Sequence, residues 1–194
     1  MAAEISSLLA LSAIRNNDKV GLVVFTDHVE KFIPARKGLQ HVLRVIREVL
    51  YFEPKGRTTN IAGALEYLGR LKTRRTICFL ISDFFTSEKD VLRRALSITN
   101  KKHDLIAITL NAPKEYEMPV CGMLTLDDSE TGEFVTVDTT DPLVRGSYSE
   151  KNQERLQSRK QMFQSVGMDH MDIYTNHSYM DEVVKFFLRR QKRR

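Results

Sequence analysis

Two continuous apolar runs dominate the hydrophobic pattern of the chain. Residues 19–26 and 75–82 show no alternation of apolar and polar positions, and each run is followed by an aspartate, Asp27 or Asp83. This pattern is typical of strands that are buried on both faces, as in sheets wound with crossover helices. We predict further strands at residues 104–110 and 169–174.

Helical periodicity fills the segments between these strands. Apolar residues recur at intervals of three and four in six segments: residues 3–15, 38–50, 61–71, 88–100, 147–166 and 179–190. Strands that alternate with helices indicate right-handed crossovers and a mostly parallel sheet with helices on both faces. We therefore predict a Rossmann-like α/β fold and one domain that spans residues 1–194.

Two segments depart from this alternation. Residues 29–33 alternate apolar and charged positions, which predicts a half-exposed, antiparallel edge strand that ends at Pro34. Within residues 113–141, strand patterns at 123–126 and 133–137 flank a loop that contains glycine, so we predict an inserted β-hairpin. The acids of this loop miss the spacing of a calcium-binding loop, and we expect a solvated hairpin tip.

Composition limits the class of protein. The chain has 194 residues and two cysteines, Cys78 and Cys121, which are too few for a disulfide framework or a zinc site. We predict free thiols in a reducing compartment. No apolar run approaches the ~20 residues that a membrane-spanning helix needs, and the first residues lack the pattern of a signal peptide. These features predict a cytoplasmic protein.

The net charge of +5 depends largely on a basic run at residues 189–194. Such a run is typical of a solvated chain end, where its cations also suit the negative end of the preceding helix. Nucleic-acid binding through this run would show a steep dependence on salt concentration. We expect no nucleic-acid partner.

Several motifs of known enzymes are missing from the sequence. It contains no phosphate-binding Walker loop, no G-x-G-x-x-G and no G-x-S-x-G. His170 and His177 lie near Asp169 and Asp172, which makes a metal cluster conceivable. Because neighbouring residues of a strand point to opposite faces, Asp169 would lie opposite His170, and we predict an ordinary polar surface here.

Asp83 is the strongest candidate for function. It follows a predicted central strand, and the carboxyl ends of such strands form the ligand-binding edge of open α/β sheets. A separate helix-start signal at residues 87–90 leaves Asp83 without a required capping role. The preceding loop contains Thr58 and Thr59, which together with Asn60 could also simply cap the next helix.

Hydroxyl and carboxylate oxygens suit Mg²⁺ or Mn²⁺, although two such groups are too few to bind the ion tightly. An alternative is a Mg²⁺-dependent phosphoesterase or nuclease that uses Asp27 and Asp83. That chemistry normally requires two metal ions about 3.5–4 Å apart and several clustered carboxylates. Two acids fall short of this set.

The order of the motifs resembles a von Willebrand factor A-like domain. Three segments carry this resemblance: residues 18–25, residues 58–65 (Thr-Thr-Asn-Ile-Ala-Gly-Ala-Leu) and residues 80–84 (Leu-Ile-Ser-Asp-Phe). Four later features are similar to the bacterial domain-of-unknown-function proteins encoded beside MoxR-type AAA+ ATPases: the hairpin with Glu-Thr-Gly-Glu at 130–133, Arg145, Tyr148, and Asp-Ile-Tyr-Thr at 172–175.

This resemblance implies a metal-ion-dependent adhesion site built from three loops. Thr59 matches its threonine and Asp83 matches its aspartate, but the Asp-x-Ser-x-Ser loop has no counterpart in the chain. That loop precedes the helix with which the chain begins, so we expect the central first strand to be missing. The strands at 19–26 and 75–82 would then have unpaired edges.

Three arrangements would account for these unpaired edges. The two strands pair with each other, another chain fills the gap by self-association through the strand edges, or the native protein starts upstream. We favour the third. Binding of Mg²⁺ or Mn²⁺ by the chain as given should be weak or absent. By resemblance, the function is that of a non-enzymatic protein–protein interaction module, metal-dependent when complete. Its partner would be a MoxR-type AAA+ ATPase or a client of that ATPase.

Overall fold

The computed structural model describes residues 1–71, 74–113, 116, 118–127 and 134–192. The elements follow in the order α1 (Ala2–Arg15), β1 (Val20–Phe25), β2 (Val29–Arg36), α2 (Leu39–Tyr51), α3 (Ile61–Arg70), β3 (Ile77–Ser82), α4 (Lys89–Lys102), β4 (Asp104–Asn111), β5 (Met123–Asp127), β6 (Phe134–Asp138), α5 (Pro142–Val166), β7 (Asp169–Tyr174) and α6 (Tyr179–Gln191).

These elements divide into two units. The first unit comprises Met1–Arg74 and Thr86–Lys102, and the second comprises Arg75–Phe85 and His103–Arg194. The architecture is mixed α/β, with one three-stranded parallel sheet and two antiparallel pairs among the described strands. The prediction of a single domain stays a prediction.

In the first unit, β1 pairs with β2 in an antiparallel ladder that places Leu22 opposite Ile33. The prediction that this strand ends at Pro34 is wrong, because β2 continues to Arg36. The pairing register shifts between Val20, which is opposite Arg36, and Leu22, which is opposite Ile33. This irregularity accommodates Pro34, because proline has no N–H to donate to the ladder.

The core of the first unit lies between its helices and this strand pair. Ile5 of α1 and Val42 of α2 are fully buried, as is Leu96 of α4. The ammonium group of Lys102 donates hydrogen bonds to the carbonyl oxygens of Gly69 (2.6 Å) and Leu71 (2.9 Å). It thereby pairs carbonyl groups at the end of α3 that have no partner within the helix.

In the second unit, β3, β4 and β7 form a parallel sheet in that spatial order. Its central strand is β4, where Leu105, Ile106 and Ile108 are almost completely buried. The prediction that the run at 75–82 is a strand buried on both faces is wrong: in β3 Leu80 is 7% exposed, whereas Ile77 is 50% exposed. The reason is position in the sheet, since within the described residues β4 has two neighbouring strands and β3 has one.

The helix α5 begins five residues earlier than the periodicity predicts. Asp141 caps it by accepting the N–H of Leu143 (2.8 Å), and Pro142 occupies the first turn, where its missing N–H has no consequence. Gly167, in the left-handed conformation with φ 66°, ends the helix.

The predicted hairpin is confirmed, with Leu124 of β5 opposite Val137 of β6. Its loop, residues 128–133, lies outside the described residues and includes the motif at 130–133. At the base of the hairpin, the buried Thr139 hydroxyl donates to the carbonyl oxygen of Gly122 (2.7 Å), and Arg145 donates to the carbonyl oxygen of Thr139 (2.6 Å). Arg145 therefore joins the start of α5 to the end of the hairpin.

The cysteines carry free thiols. Burial raises the pKa of the Cys78 thiol to about 11, with a smaller contribution from Asp104. Among the helices that the structure describes, none combines the length and apolar character needed to cross a bilayer.

Candidate functional site

Asp83 lies in the turn that follows β3. Its Oδ1 atom accepts hydrogen bonds from the N–H of Phe85 (3.1 Å) and from the hydroxyl of Ser82 (3.3 Å). The Ser82 oxygen in turn accepts the N–H of Phe84 (3.1 Å). This carboxylate therefore organises its own turn, as aspartate commonly does, and it remains exposed to solvent.

Phe84 adopts a backbone conformation that is rare for a bulky residue, with φ 57°. Its side chain is only 6% exposed, and its ring meets the ring of Phe163 edge-on, with centroids 5.0 Å apart. Burial of this ring stabilises the turn against a backbone strain of roughly 1–3 kcal/mol. We call residues 82–85 the Asp83 elbow.

Arg159 of α5 supports this elbow from within the second unit. Its Nη1 atom donates to the carbonyl oxygen of Asp83 (2.9 Å), and its Nη2 atom donates to Oδ1 of Asn111 (2.7 Å). Its Nη2 atom also lies 3.6 Å from Oδ1 of Asp172, and the arginine is only 8% exposed. One guanidinium thus contacts residues at the ends of β3, β4 and β7.

A row of polar side chains crosses the sheet beside this guanidinium. Ser82, Thr109 and Asp172 are register partners on the three strands, and the Thr109 hydroxyl donates to Oδ1 of Asp172 (2.5 Å). The buried amide of Asn111 donates to the carbonyl oxygen of Ile173 (3.3 Å), and its oxygen accepts the hydroxyl of Tyr116 (2.5 Å). Buried polar groups with this many partners fix one arrangement of the strand ends.

The second predicted loop belongs to the first unit. Asn60 caps α3 by accepting the N–H of Gly63 (2.8 Å), while its own N–H donates to the carbonyl oxygen of Thr26 (2.8 Å). The capping interpretation is therefore correct for Asn60. Thr58 and Thr59 are exposed side chains that precede this cap.

Glu30 of β2 anchors the same loop. Its carboxylate accepts the N–H groups of Lys55 (3.0 Å) and Gly56 (3.0 Å) and the hydroxyl of Thr26 (2.6 Å). The Thr26 hydroxyl, followed by the two N–H groups, lowers the pKa of Glu30. A Cβ atom at Gly56 would lie 2.3 Å from Oγ1 and 2.7 Å from Cβ of Thr26, so this close approach favours glycine.

Asp27 lies in a cluster of its sequence neighbours. Its Oδ1 atom lies 2.8 Å from Nδ1 of His28 and 3.0 Å from the hydroxyl oxygen of Thr26. The bond with His28 is the main cause that lowers the pKa of Asp27, and the nearby Thr26 hydroxyl comes next. The side chain is more than half exposed, so solvent screens these interactions.

The predicted metal ligands thus lie in different units, Thr59 in the first and Asp83 in the second. Beside Asp83 the structure provides the hydroxyl oxygen of Ser82 as a further hard donor. Across the described part of the chain, no group of three or more His, Cys, Asp or Glu side chains could hold a metal ion. The donors have the chemistry that Mg²⁺ prefers, but two oxygens support only weak binding.

The two histidines that could suggest a cluster have different environments. His170 is half-buried against the ring of Phe163, with ring centroids 5.4 Å apart, and burial is the main cause that lowers its pKa. His177 is exposed. His177 therefore lies on the predicted polar surface, whereas His170 is partly exposed and packs on Phe163 of α5.

Sequence reasoning missed Arg159, Asn111 and Glu30, which position the two candidate loops. One signal for Arg159 was present: it lies seven residues after Asn152 and four before Phe163, and all three are buried on one face of α5. A charged residue within the buried stripe of a helix usually has a specific partner.

Residues 1–158 match the family described as "Protein of unknown function DUF58". The chain belongs to the DUF58 family. It is 24% identical over 177 residues to the uncharacterized protein Rv1480 of Mycobacterium tuberculosis, and this match covers 90% of the chain and 55% of that protein. The DUF58 chain thus spans about half the length of the first curated relatives that it matches.

Other relatives are similar in length or in fold. An uncharacterized protein of Mycobacterium avium is 26% identical over 165 residues, which cover 82% of the chain and 94% of that protein. The conserved hypothetical protein BatB of Bacteroides thetaiotaomicron superimposes with a TM-score of 0.52 at 15% identity, over 98% of this chain and 88% of that one. An aerotolerance-related membrane protein of Bacteroides fragilis gives a TM-score of 0.53 at 14% identity, over 94% and 88%. At such identities the likeness concerns the fold alone.

Proposed function

We propose that this DUF58 chain is a non-enzymatic protein-interaction domain with von Willebrand factor A-like architecture, and that the Asp83 elbow is the centre of its binding surface. The observation that carries this proposal is the bond from the buried Arg159 to the carbonyl oxygen of Asp83 (2.9 Å). Asp83 thereby combines an exposed carboxylate with a main chain that the buried Arg159 holds in place.

A fixed carboxylate favours binding for an entropic reason. Ordering a mobile loop on association reduces affinity, whereas a group that is already in place avoids this loss. The elbow is ordered before binding by Phe84, whose ring is buried, and by Arg159, whose guanidinium also contacts Asn111. It also lies at the carboxyl end of a parallel strand, where α/β proteins bind their ligands.

The resemblance to metal-ion-dependent adhesion sites supplies the chemistry of the contact. In this proposal, Asp83 contributes an oxygen ligand to Mg²⁺ or Mn²⁺, and an acidic side chain of the partner completes the coordination. The partner is a MoxR-type AAA+ ATPase or a client of that ATPase. We place the protein in the cytoplasm, because its free thiols suit a reducing compartment.

The experiment measures Mg²⁺ and Mn²⁺ binding by calorimetry and capture of a purified MoxR-type ATPase on the immobilised chain. We expect weak metal binding, and metal-dependent capture that Asp83→Asn abolishes. The matched control is Asp138→Asn, which removes another exposed carboxylate of the second unit, one that accepts the N–H (2.9 Å) and hydroxyl (2.6 Å) of Thr140. Equal capture by wild type and Asp83→Asn would refute the role of the elbow.

The same variants test the enzymatic alternative. A phosphoesterase or nuclease that uses Asp27 and Asp83 would hydrolyse p-nitrophenyl phosphate or single-stranded DNA in the presence of Mn²⁺. It would lose this activity in both Asp27→Asn and Asp83→Asn. We expect no hydrolysis by the wild-type chain. Hydrolysis that both variants abolish would refute the interaction proposal and support the enzymatic alternative.

A further inference from the structure

The strand β7 is an outer strand of the parallel sheet, with β4 as its hydrogen-bonded neighbour among the described residues. The N–H of Thr175 donates to the carbonyl oxygen of Asn111 (2.9 Å), and the carbonyl oxygen of Ile173 accepts the side-chain amide of Asn111 (3.3 Å). Main-chain groups of successive residues point to opposite edges of a strand. The N–H and C=O groups of His170 and Asp172 therefore face the edge away from β4, as does the N–H of Tyr174, whose carbonyl oxygen already accepts the N–H of His177 (3.2 Å).

A groove of 580 Å³ runs along this outer edge. It borders five consecutive residues of β7, 170–174, together with Lys160 of α5 on one side and a set of α6 residues on the other. Because successive side chains of a strand point to opposite faces, a cavity that borders all five residues lies beside the main chain. We call this cavity the β7 groove.

The α6 wall of the β7 groove is electrically polarised. Arg190, near the end of α6, pairs with Asp169 at the start of β7 (3.3 Å), so the helix runs antiparallel to the strand. Asp181 therefore lies toward the carboxyl end of β7, and Arg189 lies toward its amino end. Between them, Lys185 pairs with Glu182 (3.0 Å), which leaves Asp181 and Arg189 as the outer charges of this wall.

The distance between these charges matches an extended chain. Asp181 and Arg189 are eight helical residues apart, a separation of about 12 Å. Four residues of a β-strand cover about 13 Å, and an interval of four keeps two side chains on the same face. A strand in the groove can therefore place an acidic side chain near Arg189 and a basic side chain near Asp181, both toward α6.

We infer that the β7 groove binds an extended peptide segment of a partner protein, which joins the parallel sheet as an additional strand beside β7. The segment carries a basic and an acidic residue four positions apart. Strand addition of this kind obtains affinity from main-chain hydrogen bonds and specificity from alternate side chains. Since antiparallel ladders are the more stable, the basic residue comes first in the segment.

The walls of the groove favour a lone strand over the edge of another sheet. Lys160 of α5 lines it on one side and residues of α6 line it on the other, so the space beside β7 suits a single strand better than a strand covered by its own helices. The walls therefore disfavour edge-to-edge pairing with a second copy of the chain at this position. The inference is independent of the proposed function, because it involves neither Asp83 nor a metal ion.

The first experiment uses a fluorescein-labelled, capped peptide of seven residues, with alternating valine and threonine, lysine at the second position and glutamate at the sixth. We expect an increase in fluorescence anisotropy with the full chain. N-methylation of one alternate set of peptide amides should abolish binding, and methylation of the other set should not, because only one set faces β7. Absence of binding, or binding that tolerates both sets of methyl groups, would overturn strand addition.

The second experiment reverses the charges of the α6 wall with the double variant Asp181→Lys and Arg189→Asp. Both side chains are exposed, so the fold should persist. A reversed peptide carries glutamate at the second position and lysine at the sixth. The variant should prefer this reversed peptide over the original one by about fivefold, as expected from two exposed charge pairs. The control is the double variant Glu66→Arg and Arg70→Glu, which reverses an exposed ion pair of α3. It should leave the affinities for both peptides unchanged. Unchanged preference in the α6 variant would overturn the proposed charge spacing.

Discussion

Asp27 and Asp83 occupy equivalent places in their strands but are supported in opposite ways. Each follows a strand, β1 or β3, and each carboxylate is exposed. The Asp27 carboxylate contacts Thr26 and His28, its immediate neighbours. The main chain at Asp83 is bound by Arg159, which lies 76 residues later in the chain.

This difference separates a local cluster from a turn that depends on tertiary structure. A carboxylate bound by its neighbours keeps its contacts as long as its loop exists, and solvent weakens them. The Asp83 elbow forms only when α5 has packed on the sheet, because Arg159 and Phe163 both belong to α5. We therefore expect substitutions at the elbow to affect stability more than substitutions around Asp27.

The largest effect should come from Phe84→Ala. The ring is 6% exposed and packs on Phe163, and loss of a buried phenylalanine costs about 3–5 kcal/mol. Denaturant unfolding of the chain, monitored by circular dichroism, measures this change. A loss below about 1 kcal/mol would show that the ring does not support the elbow.

Phe84→Gly is the informative companion to this variant. It removes the same ring but also relieves the positive φ of 57°, which glycine adopts without strain. The glycine variant should therefore be more stable than the alanine variant by about 1 kcal/mol. At an ordinary extended position the order would be the reverse, so the sign of this difference tests the backbone strain.

Arg159→Met should have the next largest effect, a loss of about 3 kcal/mol. It leaves the carbonyl oxygen of Asp83 and the buried amide oxygen of Asn111 without a charged donor. The matched control is Lys160→Met, at the next position of α5, where the ammonium group is half exposed and lies 3.7 Å from Asp172. That change should cost less than about 1 kcal/mol, and equal losses in both variants would contradict the assigned role of Arg159.

The position of Asp83 was predictable from sequence, but its support was not. Strand ends follow from apolar runs and flanking polar residues, and these are local signals. Arg159 interrupts the apolar pattern of α5, and its charge predicts exposure when the helix is considered alone. Its burial becomes reasonable only with its partners, Asn111 and Asp83, which belong to two other elements.

The same limit explains why β3 and β4 were assigned equal burial. Both are continuous apolar runs, and composition alone does not distinguish a strand with two neighbours from a strand with one. The helices and the hairpin were predicted well because periodicity and turn residues act over a few positions. The order of strands in a sheet depends on contacts between distant segments, which no local pattern encodes.

Around Asp27, the largest effect should come from Gly56→Ala. The added Cβ atom would lie 2.3 Å from both Oδ1 of Asp27 and Oγ1 of Thr26 and would push the loop away, at a cost of about 1–3 kcal/mol. Gly69→Ala is the control, because nothing lies within 4 Å of its added Cβ. It should be neutral or stabilising, since alanine favours the helix. Equal stability of the two variants would mean that the loop does not approach Asp27 closely.

The smallest effect is a response to acid in the loop that Glu30 anchors. Its pKa is lowered from a usual value of 4.5 by bonds from Thr26, Gly56 and Lys55. A group with a lowered folded-state pKa contributes stability that is present above its unfolded pKa and is lost as the pH falls through its folded pKa. The N–H signals of Lys55 and Gly56 should therefore shift in NMR spectra with a midpoint below pH 4.5.

The N–H of Asn60 provides an internal control for this titration. It donates to the carbonyl oxygen of Thr26 (2.8 Å), which does not titrate, so its signal should not follow the Glu30 midpoint. In Glu30→Gln the titration of Lys55 and Gly56 should disappear, and its persistence would assign the response to another carboxylate. The acceptor of the Arg159 bond is the neutral main-chain carbonyl oxygen of Asp83, so acid should loosen the loop beside Asp27 while that support of the elbow remains.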